Sequence, residues 1–252
     1  MRIQSAALAA ILAFAIPVHA ADATAVIAAS RQRVQSADFR ATGHLVRVNA
    51  DGTRTSDGIT VKARWFPGVL RVKVEITSPP QAREHILLEM RPNGQNQIQI
   101  AHPGDKNPDI LPYEKWVDGP LGPGFSYEDF LEPQFFWPTQ SFLEETKFGA
   151  RDCDVVKSLP GTNDRTHYAE VKSWLDHSIA FPVYVEKTLR GTGAVKEFTS
   201  FGLRHEGGVW SATQIEVKAR GKAGSTLLII DRGSPKANLS LGEFSPDQLT
   251  RF

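Results

Sequence analysis

Leu70-Arg71-Val72-Lys73-Val74-Glu75-Ile76-Thr77 places an apolar side chain at every second position and a charged or polar one between. Successive side chains of an extended chain point to opposite faces, so this stretch is a β-strand with one apolar and one wet face. The same period of two marks Ile59 to Trp65, with Val61 and Ala63 between them, and Val209 to Ala219, with Ile215 and Val217. Turn signals separate the runs: Asn49-Ala50-Asp51-Gly52, Pro67-Gly68, Pro92-Asn93-Gly94, Gly161 to Asp164, Gly191 to Gly193 and Glu206-Gly207-Gly208. The pattern predicts about a dozen strands. Their short connections dictate an antiparallel meander, because parallel neighbours need a long crossover.

Two regions break this rhythm. Thr24 to Gln35 reads as a helix, capped by Thr24, with Val26, Ile27, Ser30 and Val34 on one face. His102 to Phe125 is a long loop holding Pro103, Pro108, Pro112, Pro120 and Pro123 with Gly104, Gly119, Gly122 and Gly124. Loops of that length inside a compact domain are usually functional. This one runs into a helix start, in which Ser126 is the N-cap, Asp129 completes a capping box, and Phe125 and Phe130 occupy the staple positions. Pro133 should stop that helix early, and Phe135, Phe136 and Trp137 follow it.

The N-terminus carries a different signal. Arg2, an apolar run from Ala6 to Ile16 and then Val18-His19-Ala20 form a secretory signal peptide with a cleavage site near Ala20. The apolar run is too short to span a bilayer. Residues 1–20 are therefore read as a signal and 21–252 as a single exported domain of the periplasm, with no transmembrane segment. Lys and Arg total 29 against 28 Asp and Glu, and removing Arg2 leaves 28 against 28. Such neutrality argues against nucleic-acid binding and against electrostatic attachment to anionic lipid. Cys153 is the only cysteine. No internal disulfide is possible, and a buried, inert thiol on a strand is its expected state.

Catalytic and metal patterns find little support. The histidines after the signal (His44, His85, His102, His167, His177 and His205) never form H-x-x-x-H, H-x-H or H-E-x-x-H, and there is no G-x-S-x-G elbow. His102, Asp105 and Asp109 lie close together in the Pro/Gly loop, where Asp and Pro are ordinary loop formers. Glu144 and Glu145 are strand neighbours that point to opposite faces. The expectation is a protein that is not an enzyme, with no cofactor and no metal.

A sheet of about a dozen strands must curl, close or split. With too few helices for a second layer, it should either wrap around the two it has and leave an apolar hollow suited to a small molecule or lipid, or close on an ordinary filled barrel or sandwich core. By alternation, Val61, Ala63 and Trp65 share the hollow's wall with Leu70, Val72, Val74 and Ile76, and with Ile98, Ile100, Ile215 and Val217. Phe130, Leu131, Phe135, Phe136 and Trp137 form a cover resting on that wall, either a moving lid or a fixed plug.

Five segments, in order along the chain, resemble the LolA-like outer-membrane lipoprotein-sorting family. They are Leu70-Arg71-Val72 leading to Ile76-Thr77-Ser78-Pro79-Pro80 and then His85 to Met90; Gly124-Phe125-Ser126-Tyr127-Glu128-Asp129-Phe130; Gly149 to Val156; Trp174-Leu175-Asp176 with Pro182 and Lys196; and Phe244 to Leu249. The resemblance implies an incomplete antiparallel β-barrel, a half-barrel wrapped around short helices. It also implies a periplasmic carrier or chaperone for a lipoprotein acyl chain or another lipid-like ligand, working as a monomer. Its partners would be a lipid or acylated protein, and an envelope transporter or outer-membrane acceptor. The family's anchored branch begins with a lipidated Cys; this chain has none after its cleavage site and so is similar to the soluble branch. The carrier's lid-holding arginine has its nearest match in Arg64, although the spacing to Pro67 differs and alternation places Arg64 opposite Val61. The alternative function is an accessory protein docking on an envelope export system, without lipid cargo of its own.

Overall fold

A computed structural model describes residues 23–118 and 121–252; the signal read at 1–20 and its cleavage site lie outside them. Helix α1 (Ala23–Gln35) is followed by strands β1 (Asp38–Val48), β2 (Arg54–Phe66), β3 (Val69–Ser78), β4 (Glu84–Met90), β5 (Gln97–Ala101) and β6 (Asp109–Ile110). After a segment of short turns come β7 (Thr139–Phe148), β8 (Arg151–Leu159), β9 (Tyr168–Asp176), β10 (Pro182–Leu189), β11 (Val195–Glu206), β12 (Val209–Ala219) and β13 (Ser225–Pro235), and then a short helix α2 (Pro246–Leu249). The expected capping of α1 at Thr24 is displaced, because the helix already includes Ala23. Its buried face is the expected one, with Ile27, Ser30 and Val34 inward. No helix among the described residues is long and apolar enough to cross a membrane.

All thirteen strands belong to one antiparallel sheet in the order β6-β5-β4-β3-β2-β1-β13-β12-β11-β10-β9-β8-β7. Two meanders, β1 to β6 and β7 to β13, are joined where the first strand pairs with the last. The sheet stays open, an incomplete barrel with β6 and β7 as its edges. At the β1–β13 seam the register shifts between Thr42 and Gly43, and a Cβ on Gly43 would lie 1.9 Å from the Ile229 carbonyl oxygen. Only glycine permits that approach, and such irregularities are where sheets bend.

Register explains the apolar wall. Ala63 faces Val72, Val72 faces Leu88, and Leu88 faces Ile98; one step along, Val61 faces Val74, Val74 faces Ile86, and Ile86 faces Ile100. In the other meander Val185 faces Phe198, which faces Val217. These rows line the concave side and belong to one core with Ile27, Val34, Trp116, Phe135 and Trp137.

The opposite face of β3 is not the wet face its alternation predicts. The chain turns back after β13, and residues 237–252 cross the outside of β2 to β5, where Leu239, Phe244 and Leu249 pack on Leu87 and Ala101. Lys73 is consequently buried, and its ammonium donates to the Gln248 carbonyl (2.7 Å) and pairs with Glu75 (2.8 Å). His85 Nδ1 lies 2.8 Å from the Leu249 carbonyl, and its ring stacks on Phe252. Alternation records which side chains share a face, and a distant terminal segment decided whether water reaches it.

Candidate functional site

β6 and β7 are the two edges of the sheet, so the connection between them has to travel from one edge to the other. It does so across the concave side. Phe125, Tyr127, Leu131, Phe135 and Trp137 from this connection are buried in the same core as the wall. The hollow expected from strand count is thus filled by the cover's own side chains. Val61, Leu70, Val72, Val74, Ile76, Ile98 and Val217 are buried, while Trp65, Ile100 and Ile215 are half-buried against the same core. The Trp65 ring stacks on Phe136, with 5.5 Å between centroids.

The cover differs from the expected short α-helix. It is two 3-10 turns, Tyr127–Phe130 and Pro133–Phe136; the first already ends at an extended Leu131, and Pro133 starts the second. The Ser126–Asp129 capping box forms, and Phe125 meets Phe130 edge to face at 4.9 Å. Helix α1 holds the second turn from outside. Arg31 Nε donates to the Phe135 carbonyl (3.0 Å), and the Arg33 guanidinium forks onto Glu132 (2.7 and 2.9 Å). Every backbone-to-backbone hydrogen bond among the described residues of 112–138 stays within that segment. Every hydrogen bond of the cover with the sheet thus involves a side chain on at least one partner, including Thr226 and Gln140, which donate to the Pro123, Gln134 and Trp137 carbonyls (2.9 Å each).

The cover also supplies polar side chains of its own. Tyr127 donates its hydroxyl to Glu84 on β4 (2.9 Å), and Glu128 Oε2 accepts from the His167 N–H (3.4 Å). Asp129 is fully buried and accepts from Lys196 on β11 (2.9 Å), Lys187 on β10 (3.2 Å), the Tyr168 hydroxyl on β9, and the Ser126 N–H and hydroxyl (2.9 Å each). Burial pushes the Asp129 carboxyl up; Lys196 and Lys187 outweigh that and hold it well below the usual carboxylate range. Burial, then the Asp129 charge, drives the Tyr168 phenol far above its ordinary value. Glu84 is raised by burial, which the Tyr127 hydrogen bond and His102 only partly offset.

Sequence reasoning found the apolar half of this interface and missed Lys187, Tyr168 and Glu84 altogether. Lys187 sits where alternation continues the apolar face from Val185, and that break in the pattern was the available signal. Lys196 entered only through the resemblance, with no partner attached to it.

Arg64 lies elsewhere. It is on the outer face, donates to the Leu239 carbonyl and packs over Phe66 (5.5 Å), so it fastens the C-terminal segment and touches no part of the cover. Cys153 on β8 is buried beside Phe181 and Val183 on the outer side, and burial raises its thiol pKa. The His102 backbone N–H donates to Asp105 (2.7 Å), closing a loop turn. The described residues contain no group of three or more His, Cys, Asp and Glu that could hold a metal.

Known proteins share the fold of this open antiparallel sheet. Residues 72–251, well over half of the chain, match a family model described as an uncharacterized protein. The chain belongs to the family of that model, and its fold is LolA-like. A Vibrio parahaemolyticus domain provisionally assigned as an outer membrane lipoprotein-sorting protein is 20% identical, with a TM-score of 0.80 over 91% of this chain and 100% of that one. A DUF1329 family protein from Desulfovibrio piger is 13% identical, also with a TM-score of 0.80, over 90% and 97%. A LolA superfamily protein from Nitrosomonas europaea is 16% identical, with a TM-score of 0.70 over 90% and 99%. At these identities the likeness establishes the LolA-like half-barrel and leaves its cargo to be inferred. No curated protein matches the sequence.

Proposed function

We propose that this LolA-like chain is exported to the periplasm and carries the acyl chain of a lipoprotein or another lipid-like ligand between envelope membranes, with no covalent chemistry. The wall formed by Val61, Trp65, Leu70, Val72, Val74, Ile76, Ile98, Ile100, Ile215 and Val217 would seat the ligand. The turns carrying Phe130, Leu131, Phe135, Phe136 and Trp137 would be its lid. A donor transporter and an outer-membrane acceptor would be the partners.

The observation that carries this reading is the way the wall is covered. The cover makes no backbone-to-backbone hydrogen bond with the sheet among the described residues, so it can lift without breaking a strand ladder. A wall uncovered in that way needs an apolar occupant, and acyl burial returns about 0.8 kcal/mol per methylene. A chain of about sixteen carbons would supply on the order of 10 kcal/mol gross, offset by ligand ordering and by displacement of the cover. The signal peptide read at residues 1–20 and the provisional lipoprotein-sorting assignment of the Vibrio relative agree with it.

Native mass spectrometry of protein purified from periplasm without detergent is the direct test. A bound lipid mass is expected, and only the unliganded mass after detergent-free preparation would count against the carrier. The second reading, an accessory protein docking on an export system, is favoured by β7, an edge strand with Leu143 exposed. Recovery with envelope membranes, but without lipid, would favour it.

A further inference from the structure

Lys187 and Lys196 stand directly opposite each other in the β10–β11 ladder. Both are almost completely buried, at 4% and 6% exposure, and both ammonium groups reach the concave side. Around them the wall is aromatic: Lys187 Nζ lies 4.6 Å from the Phe198 ring centroid and 5.2 Å from that of Tyr168, and Lys196 Nζ lies 5.6 Å from Tyr168. Two like charges at opposed strand positions in an apolar wall are unfavourable unless an anion lies between them. Here the anion is Asp129, and it belongs to the cover. Glu128, the next carboxylate of the cover, is directed instead at Thr166 and His167.

The wall alone supplies three donors to one point, the two ammonium groups and the Tyr168 hydroxyl. When the cover lifts, Asp129 leaves with it and those donors stay in the wall. We propose that Lys187, Lys196 and Tyr168 form a head-group site for an anionic amphiphile, a lipid-like ligand whose carboxylate or phosphate replaces the Asp129 carboxylate while its chains lie on the apolar wall. The site rests on the carrier reading and adds the class of cargo to it. Asp129 then acts as a built-in stand-in for the head group. Cargo anion and cover compete for the same cations, which couples loading to opening. Two cations facing a single carboxylate also leave room for a doubly charged phosphate monoester.

The test compares amphiphiles that differ only in head-group charge, using the delipidated mature chain: oleate against oleyl alcohol, and dioleoyl phosphatidic acid against dioleoylglycerol. Wild type is expected to bind each anionic member about tenfold or more tightly. Lys187→Met and Lys196→Met should each erase most of that preference. Because removing one lysine weakens the Asp129 lock, a third variant replaces the cluster by apolar side chains (Lys187→Met, Lys196→Met and Asp129→Leu together), a kind of change that buried ion clusters tolerate. It should fold, retain the neutral amphiphiles and bind the anionic ones no better. Equal affinity of wild type for charged and neutral members would overturn the head-group site and leave the carrier intact. A preference that persists in the triple variant would overturn the residue assignment. Inorganic phosphate binding as tightly as dioleoyl phosphatidic acid would mark a site for free anions and overturn the amphiphile. Binding of none of the four would overturn the carrier and the site together.

Discussion

Removing the Asp129 carboxylate strands two ammonium groups, Lys187 and Lys196, in an aromatic wall without their counter-ion. Asp129→Ala is therefore expected to cost about 3–5 kcal/mol in urea unfolding at neutral pH. Burial raises this carboxyl, but Lys196 and Lys187 prevail and its folded pKa lies below its unfolded one. Its stabilisation is thus present above about pH 4 and lost as the pH falls through the folded value. The stability gap between wild type and Asp129→Asn should be constant near neutrality and shrink in acid; a gap of constant size down to pH 2 would place the lock elsewhere. Cys153 gives a second residue-scale prediction. Its buried thiol, with a raised pKa, should react slowly with a thiol reagent in the native protein and rapidly after denaturation. Rapid native labelling would return Cys153 to consideration as a reactive group.

The edge-to-edge cover is the element on which the proposed function turns. Its two 3-10 turns are too short to be stable alone, and they are held by apolar burial, the Asp129 lock and the arginines of α1. The stacked rings of Trp65 and Phe136 mark where cover and wall touch. With Cys153 first changed to Ser, cysteines at positions 65 and 136 joined by a short bis-maleimide should fix the cover in place. Uptake of a fatty-acyl ligand is expected to fall at least tenfold on cross-linking and to recover in the uncross-linked pair. Unchanged uptake would make the cover a fixed plug. The capping box and aromatic staple of this element were legible from Phe125 to Phe130, because both are local in sequence. Its 3-10 geometry was not, because it follows from how Asp129 and Tyr127 reach β9, β10, β11 and β4.

At the scale of the molecule, one curved sheet has its concave face and the convex face of β2 to β5 covered by segments that carry no strand. On the concave side, Val72→Glu and Val217→Glu each bury a carboxylate among apolar neighbours. Both should lower ligand content and destabilise the fold by several kcal/mol, on the order of 3 or more. Full stability and full lipid content in both would show that the binding wall lies elsewhere. On the convex side, truncation after Pro235 removes the segment over Leu87, Lys73 and His85. The shortened chain is expected to melt lower and to expose a sticky apolar patch, seen as dye binding or self-association. An unchanged melting temperature would mean that the C-terminal segment is ornamental to the fold.

The period of two in Leu70 to Thr77 determined by itself that this strand has two chemically different faces. Repeated along the chain with short turns, it determined an antiparallel sheet too large to lie flat. These are local consequences of backbone geometry, and the sequence carries them without help. Tertiary structure decided what lies against each face. Lys73 stood on the face read as wet until residues 237–252 folded over it, and the buried charge of Lys187, unread in the sequence, is met by Asp129 from 58 residues earlier in the chain. Pairings of that kind depend on where the sheet curls and where its edge-to-edge connection crosses. Alternation specifies a residue's face, but not the distant partner that neutralises its charge.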